Sequence, residues 1–426
     1  LRRSPVLPTS RSDGPPAPGP VPLAEVAGDA TKHHSEGTHR ACAPELTWDW
    51  LSGLLGQHGI TRVADVTGLD DIGIPVYQAI RPAATTLSVT QGKGLTPLLA
   101  KVSAVMECIE FWHAEQVTGT TGPVPARAWG RLPYPWRECS PAAGSLLHDG
   151  LPIEWVTGQG LVSGRDTVVP LGCVRIDYRH AAAWEPPLFG ATTNGLAGGN
   201  TVTEATVHAL CEVMERDSTG DLMSTPEHQQ GCLDLDTVQD GYCRTLLDRF
   251  ADAGAALDVR YTQGRLGLHL FHAVGRSATA PFLYAGFGSH PDHRVALARA
   301  ITEAAQSRLT AIAGSRDDDE AIGRGGAPRP VSRTAPTGPP VNWADLVDTS
   351  APTLDGDQAA LADRIARVTG VEPIRVVLPS PTGVPVVRVV APRLRLVAHG
   401  GPMRPARPAT AAAEAPSDGP APAVRR

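Results

Sequence analysis

Paired cysteines, long apolar runs and an excess of positive charge are all missing from this 426-residue sequence. The seven cysteines (Cys42, Cys108, Cys139, Cys173, Cys211, Cys232 and Cys243) are odd in number and form no CxxC. That argues against a disulfide framework and a zinc site, and it fits a reducing cytosol. No apolar run approaches the roughly 18 residues needed to span a bilayer, so no membrane segment is expected. The first residues, LRRSPVLPTSRSDGPPAPGP, lack the apolar core of a secretory signal. The net charge of −6 supplies no basic field for nucleic acid or an anionic membrane. GxxxxGK[ST] is absent, as are the kinase Gly-rich and catalytic-loop motifs and HExxH.

What is present is a large apolar fraction, 42%, enough for one large domain or two. Residues 1–37 and 401–426 are rich in Pro, Gly and Ala without periodicity and are expected to be disordered. The chain opens on Leu1, which calls for an unusual start codon or an incomplete sequence. A third biased stretch, about residues 314–340, reads as a surface loop, and its Asp317-Asp318-Asp319 run as solvated.

The centre of the sequence is Thr192–Ser218, TTNGLAGGNTVTEATVHALCEVMERDS. A glycine-rich turn, Asn194 to Asn200, runs into a helical pattern. There Glu204, His208, Glu212 and Glu215 fall within an arc of roughly 80°. Val202, Val207, Leu210, Val213 and Met214 lie on the other side, and Arg216 sits at the edge of the acidic arc. Such a stripe is either a solvated face with i,i+4 partners or a set of divalent-metal ligands. The scarcity of lysine and arginine within reach favours metal. Arg216 reads as a neutralising partner or a phosphate clamp.

Two further stretches repeat the pattern. Ser103–Glu110 (SAVMECIE) and Arg299–Gln306 (RAITEAAQ) align with His208–Glu215 (HALCEVME), with the common core A-x-x-E-x-x-[E/Q]. The i,i+3 spacing puts both polar groups of each copy on one helical face. Each copy follows a β-rich run and a Gly-containing turn. One ExxE arises readily by chance; three in the same context are hard to explain by packing alone. Carboxylate and amide oxygens suit magnesium, which keeps waters and substrate phosphates in its shell. Lys93, in the turn Gln91-Gly92-Lys93-Gly94, is either a phosphate contact or an ordinary surface lysine. Cys108 and Cys211 read as small core residues.

Elsewhere the chain reads as an α/β mixture. Thr47–His58 is helical, ITRVADVTG and IPVYQAIR form a hairpin around Asp70–Gly73, and Leu87–Thr90 is a strand. Thr96-Pro97 caps the next helix. Strands are expected at Thr167–Leu171, Leu268–Val274, Phe282–Phe287, Ile374–Leu378 and Val384–Val390, and helices near Asp234–Ala253 and Asp357–Val368. Strand and helix do not alternate regularly enough for a doubly wound sheet.

Three stretches, SVTQGKGLTPLLAKVSAVMECIEFWHAE, NGLAGGNTVTEATVHALCEVMERDS and TEAAQSRLTAIAGSRDD, resemble the signature stretches of the YcaO family. GITRVADVTGLDDIGIPVYQAIRP resembles its N-terminal region, and together the likeness runs from about Gly37 to Val390. The resemblance implies one YcaO domain over 38–400, of α/β class, with mixed sheets and helices carrying acidic ExxE motifs. It implies ATP and Mg2+ as cofactors and phosphorylation of peptide backbone amide oxygens during maturation of ribosomally made peptides. Carried over by position, Glu107, Glu110, Glu204, Glu212, Glu215 and Glu303 are metal ligands. Ser103, Asn200, Arg216 and Gln306 contact the nucleotide, and Lys93 and Arg40, where the pattern is looser, its phosphates. No protein nucleophile is implied.

The implied partners are a precursor peptide and a separate leader-binding or TfuA-like protein; a homodimer is compatible with the same resemblance. The product is a thioamide, an azoline or an amidine. The terminal GPAPAVRR, with Pro420 and Pro422, fits only part of the PxPxP-like tail of azoline-forming relatives. Thioamidation therefore stands slightly ahead. Competing readings are a non-catalytic scaffold, an accessory to ribosomal-protein modification, and a metal-dependent hydrolase.

Overall fold

The computed structural model describes residues 31–35, 37–178, 188–315 and 338–396. Most of the expected tails, most of the 314–340 loop and the Asp317–Asp319 run lie outside the described residues. The expected N-terminal tail, 1–37, needs correcting at its end. His33–Ser35 pairs antiparallel with Thr38–Arg40 as a short hairpin. The contacts that hold this hairpin in place are remote in sequence, so no local periodicity announces it.

Six helices carry the described fold: α1 (Pro44–Ser52), α2 (Pro97–Gln116), α3 (Val202–Ser224), α4 (Gly241–Asp252), α5 (His293–Ala313) and α6 (Leu354–Thr369). The acidic motifs fall on α2, α3 and α5. Each of these starts at a side-chain cap. Thr96 accepts from Leu99 N at 3.2 Å, Thr201 from Glu204 N at 3.1 Å, and Asp292 from Arg294 N at 2.8 Å.

Three sheets support them. Arg62–Asp65, Val76–Ile80 and Val89–Lys93 form an antiparallel meander that includes the expected hairpin, with Asp65 opposite Tyr77. A five-stranded antiparallel sheet has the order Leu196–Gly198, Val386–Val390, Ile374–Val377, Trp155–Gly160, Asp166–Pro170. The other has the order Ala280–His290, His269–Ser277, Ala256–Thr262, Gly231–Leu233, Pro340–Val341, its last pair parallel. Only the last of these sheets is mixed, and none is doubly wound, as the irregular alternation suggests.

Two expected turns are strands instead. Gln91-Gly92-Lys93 ends a strand, and Leu196–Gly198 lies inside the glycine-rich stretch before α3. At these positions glycine serves close approach rather than turning. A Cβ on Gly92 would sit 2.0 Å from Ala104 N, and one on Gly198 2.6 Å from Met106 Sδ; in the strand before α5, one on Gly286 would sit 2.3 Å from Ala300 O. Helices α2 and α5 thus rest main chain on main chain against the strands that precede them. The helix expected over Asp234–Ala253 begins only at Gly241, capped by Asp240, after a short 3-10 turn at Leu235–Thr237.

Each acidic helix anchors its own apolar cluster. Ile109 on α2 belongs to one cluster with Trp50 and Trp155, Ile301 on α5 to another with Phe250 and Phe271, and Leu210 and Met214 on α3 to a third with Val387 and Leu361. Every fully buried side chain of this size contributes about 1.5–3 kcal/mol. Cys108 and Cys211 are buried, and burial pushes their thiols up to about 11 and about 12. No helix among the described residues is long and apolar enough to cross a membrane.

Candidate functional site

The three acidic helices share one geometry. Among the described strands, the one before each acidic helix is the edge of its sheet: Val89–Lys93, Leu196–Gly198 and Ala280–His290. An edge leaves main-chain N–H groups without a ladder partner. In all three units a motif glutamate accepts one from the strand or its approach. Gln91 N donates to Glu107, Gly195 N to Glu212 and Phe287 N to Glu303, each at 3.2 Å. The partners are 16, 17 and 16 residues apart in sequence, so the repeat read in the motifs is also a repeat in space.

The units interlock as well. Helix α2 packs on Leu196–Gly198 of the second unit, α3 on Ala280–His290 of the third, and α5 on Val89–Lys93 of the first. Glu110 of α2 accepts Gly198 N at 2.6 Å across one of these seams. The polar edges of the three helices consequently face a single cavity of about 800 Å³.

All twelve residues singled out from the sequence line that cavity: Arg40, Lys93, Ser103, Glu107, Glu110, Asn200, Glu204, Glu212, Glu215, Arg216, Glu303 and Gln306. Glu204 is the most firmly oriented. It accepts from Arg40 Nη1 at 3.3 Å, from Ala41 N at 2.8 Å, and from Asn200 Nδ2 at 3.0 and 3.2 Å. Asn200 Oδ1 in turn accepts from Thr47 Oγ1 at 2.8 Å. Lys93 is no ordinary surface lysine: its Nζ pairs with Glu303. Arg216 is buried, 3.2 Å from Glu215 and 3.6 Å from Glu212, and its Nε has no hydrogen-bond partner among the described residues.

Arg299, which was not singled out, lines the same cavity, and so does His208, which the sequence placed on the acidic stripe without a role of its own. Arg299 Nη1 and Nη2 both lie 3.2 Å from His208 Nε2. Burial, then the Arg299 charge, holds His208 well below its usual range, so the ring is neutral and Nε2 accepts. The signal for both was in the alignment. Ser103, His208 and Arg299 occupy the same first position of the three repeats, four residues before Glu107, Glu212 and Glu303.

Six carboxylates thus face four full cations, Arg40, Lys93, Arg216 and Arg299. Burial pushes Glu110 up to about 8, Glu107 and Glu212 add to the rise, and the Gly198 N–H only partly offsets it. Burial also raises Glu212 and Glu215. Surplus buried negative charge of this kind suits a divalent cation. Among the described residues no three His, Cys, Asp or Glu side chains already converge on one ion position. Magnesium takes one or two carboxylates per ion and completes its shell with water and phosphate oxygens. The free donors of Arg216 fit the phosphates.

Residues 91–395 match the family model described as YcaO cyclodehydratase, ATP- and Mg2+-binding. An uncharacterised protein of Mycobacterium tuberculosis is 40% identical over 385 residues, 89% of this chain and 87% of its own. An uncharacterised protein in the tfuA 3′ region of Rhizobium leguminosarum bv. trifolii is 35% identical over 406 residues, 89% of this chain and 94% of its own. Among solved structures, YcaO from Methanopyrus kandleri bound with AMPPCP and Mg2+ has a TM-score of 0.67 at 25% identity, covering 85% of this chain and 94% of that one. A heterocyclase in complex with substrate and cofactor has a TM-score of 0.70 at 21% identity, covering 88% of this chain and 55% of that one. With three interlocked acidic helices around one cavity and a match across most of its length, the chain belongs to the YcaO family of ATP- and Mg2+-binding, cyclodehydratase-like enzymes.

Proposed function

We propose that this protein activates backbone amides of a ribosomally made precursor peptide by transferring a phosphoryl group to the amide oxygen. The observation that carries the reading is the convergence of six carboxylates and four cations from separate elements on one cavity. Bound ATP and Mg2+ would supply the phosphoryl group and the charge that stabilises its transfer. Glu107, Glu110, Glu204, Glu212, Glu215 and Glu303 would hold the metal, as the acidic surplus favours. Lys93, Arg40 and Arg216 would meet the phosphates, and Ser103, Asn200 and Gln306 the rest of the nucleotide.

An amide oxygen is a poor nucleophile and, unmodified, a poor leaving group. Once phosphorylated, it departs as phosphate when a nucleophile adds at the carbonyl carbon. Cationic side chains fixed beforehand stabilise the transferring charge without reorganising. External sulfide would leave a thioamide, a Cys, Ser or Thr side chain an azoline, and an amine an amidine. The relative in the tfuA 3′ region favours the thioamide and a TfuA-like partner protein. The likeness to a heterocyclase keeps the azoline next.

The test is co-expression with a TfuA-like partner and the short peptide gene beside it, read by intact mass. The expected product carries sulfur in place of oxygen, and forms only with ATP. Loss of one water per modified residue would replace the thioamide with an azoline. With the purified proteins and peptide, hydrolysis of the peptide without ATP would overturn the reading in favour of a metal-dependent hydrolase.

A further inference from the structure

The segment Thr31–Thr47 lies outside residues 91–395, yet it closes one side of the cavity through Thr38, Arg40, Cys42 and Thr47. A two-stranded hairpin with three residues per strand has no stability of its own in water. Contacts to remote elements hold it in place. At its start Thr31 bridges to Thr353, and Lys32 Nζ lies 2.6 Å from Asp357 Oδ2, both side chains 1% exposed. Lys32 also donates to Ala351 O, while Asp357 Oδ1 accepts from Ala351 N at 2.6 Å. This ties the segment to the first turn of α6.

Further along, His39 Nε2 lies 3.4 Å from Asp292 Oδ2, the residue that caps α5. Gly37, at φ +69°, passes so close to α5 that a Cβ would sit 3.2 Å from that of Ala298. Beyond these anchors the chain delivers Arg40 Nη1 and Ala41 N to Glu204, and Thr47 to Asn200. Burying an ammonium and a carboxylate is unfavourable unless they meet, and a pair so placed fixes one arrangement more than it stabilises.

We infer that Lys32 and His39 are positioning residues: their contacts with Asp357 and Asp292 hold Arg40 and the Ala41 N–H on Glu204, and through it shape the nucleotide site. The inference rests on reading the cavity as that site, and its test separates the two. In the full chain, Lys32→Met is compared with Lys32→Met/Asp357→Leu, which leaves no buried charge unpaired should the single variant fail to fold. Amide exchange at Ala41, whose N–H is bound to Glu204, reports the hairpin without any ligand. Calorimetry with AMPPCP and Mg2+ reports the site.

Ala41 exchange should quicken by about tenfold or more, since local opening replaces a held hydrogen bond. Binding of AMPPCP with Mg2+ should weaken about tenfold, while kcat at saturating ATP changes by less than about threefold. Lys32→Arg should restore part of the affinity. Adding Lys32→Met to Arg40→Met should weaken binding no further, because both act through one contact. Unchanged Ala41 exchange in the folded double variant, or full additivity with Arg40→Met, overturns the inference. Failure of the parent to bind AMPPCP with Mg2+ would instead overturn the nucleotide reading, and Ala41 exchange alone would then decide the anchors.

Discussion

Helices α3 and α6 pack against each other and treat their polar residues in opposite ways. On α6 the buried positions are Leu354, Asp357, Leu361, Ala362, Ile365 and Thr369, at the three- and four-residue spacing of an amphipathic helix, while Asp355, Asp363 and Arg367 are exposed. Thr353 caps its start and Gly370, at φ +73°, its end. On α3 most positions are buried, and Glu204, Glu215, Arg216, Asp217 and Ser218 are among them. Asp217 there is satisfied by a two-point pair with Arg265 at 2.6 and 2.8 Å, a structural use of buried charge. Glu212 and Glu215 have Arg216 between them, and burial still raises both. One helix spends its burial on stability, and the other holds charge that its neighbours only partly neutralise.

That contrast can be broken most forcefully at the apolar contact. Ile365→Ala on α6 should cost about 3 kcal/mol of stability, measured by urea unfolding, with turnover per folded molecule unchanged. A fall in turnover at full occupancy of the folded state would mean that α6 also shapes the site.

Glu212→Gln on α3 should do the reverse. Turnover should fall at least about tenfold, about 1.4 kcal/mol in the barrier, while the melting temperature holds or rises because a buried charge has gone. The rise in melting temperature that Mg2+ gives the parent should shrink in this variant. Glu107→Gln on α2 should behave alike, since the two glutamates have matching main-chain donors. Turnover like the parent's in either variant would remove that residue from the metal-binding set.

A smaller effect is expected at the start of α5. Burial alone would raise the Asp292 carboxyl, but hydrogen bonds from His39 and Arg294 hold it well below the usual range. A carboxyl depressed in the folded state stabilises fully above about pH 4 and loses that contribution as pH falls through the folded value. Asp292→Asn keeps a capping oxygen but loses the charge on these hydrogen bonds, so it should cost about 1 kcal/mol at neutral pH, and the gap from the parent should close in acid. Urea titrations at neutral and acid pH would show whether it does; a constant gap would assign the loss to packing.

The least is expected from the exposed Arg367–Asp363 pair on α6, 2.6 Å apart. Asp363→Ala should change stability by no more than about 0.5 kcal/mol. A larger loss, read by the same urea titration, would mean that the outer face of α6 is not simply solvated.

The acidic motifs were legible because charge on one helical stripe is unusual when lysine and arginine are scarce nearby. The Arg62–Asp65/Val76–Ile80 hairpin and the Thr96-Pro97 helix start were legible for local reasons, alternation and capping. Trp155–Gly160 was not. Gly158 and Gly160 look like breakers, yet a Cβ on Gly158 would sit 2.8 Å from Ile374 Cγ2, so packing across strands excludes any side chain there. Gln91-Gly92-Lys93 misled in the same way. The hydrogen bond from Thr47 to Asn200 spans 153 residues and leaves no mark in local sequence. Arg299 was missed, and His208 was placed on the acidic stripe without a role of its own, for a different reason. Both stood in the aligned first position of the repeat, where their differing side chains hid a shared location.

The glycine contacts at Gly92 and Gly286 bear on how the site responds to heat and pressure. Side-chain layers expand and compress by shifting rotamers and small voids, and a core substitution perturbs them in the same manner. Between the strands and the helices that carry Glu107 and Glu303 there is almost no such layer at these crossings, only peptide against peptide. The distance of each of these carboxylates' helices from its own strand is therefore set by hard main-chain contact. The cavity should keep its dimensions over a temperature range in which the apolar clusters around it measurably swell.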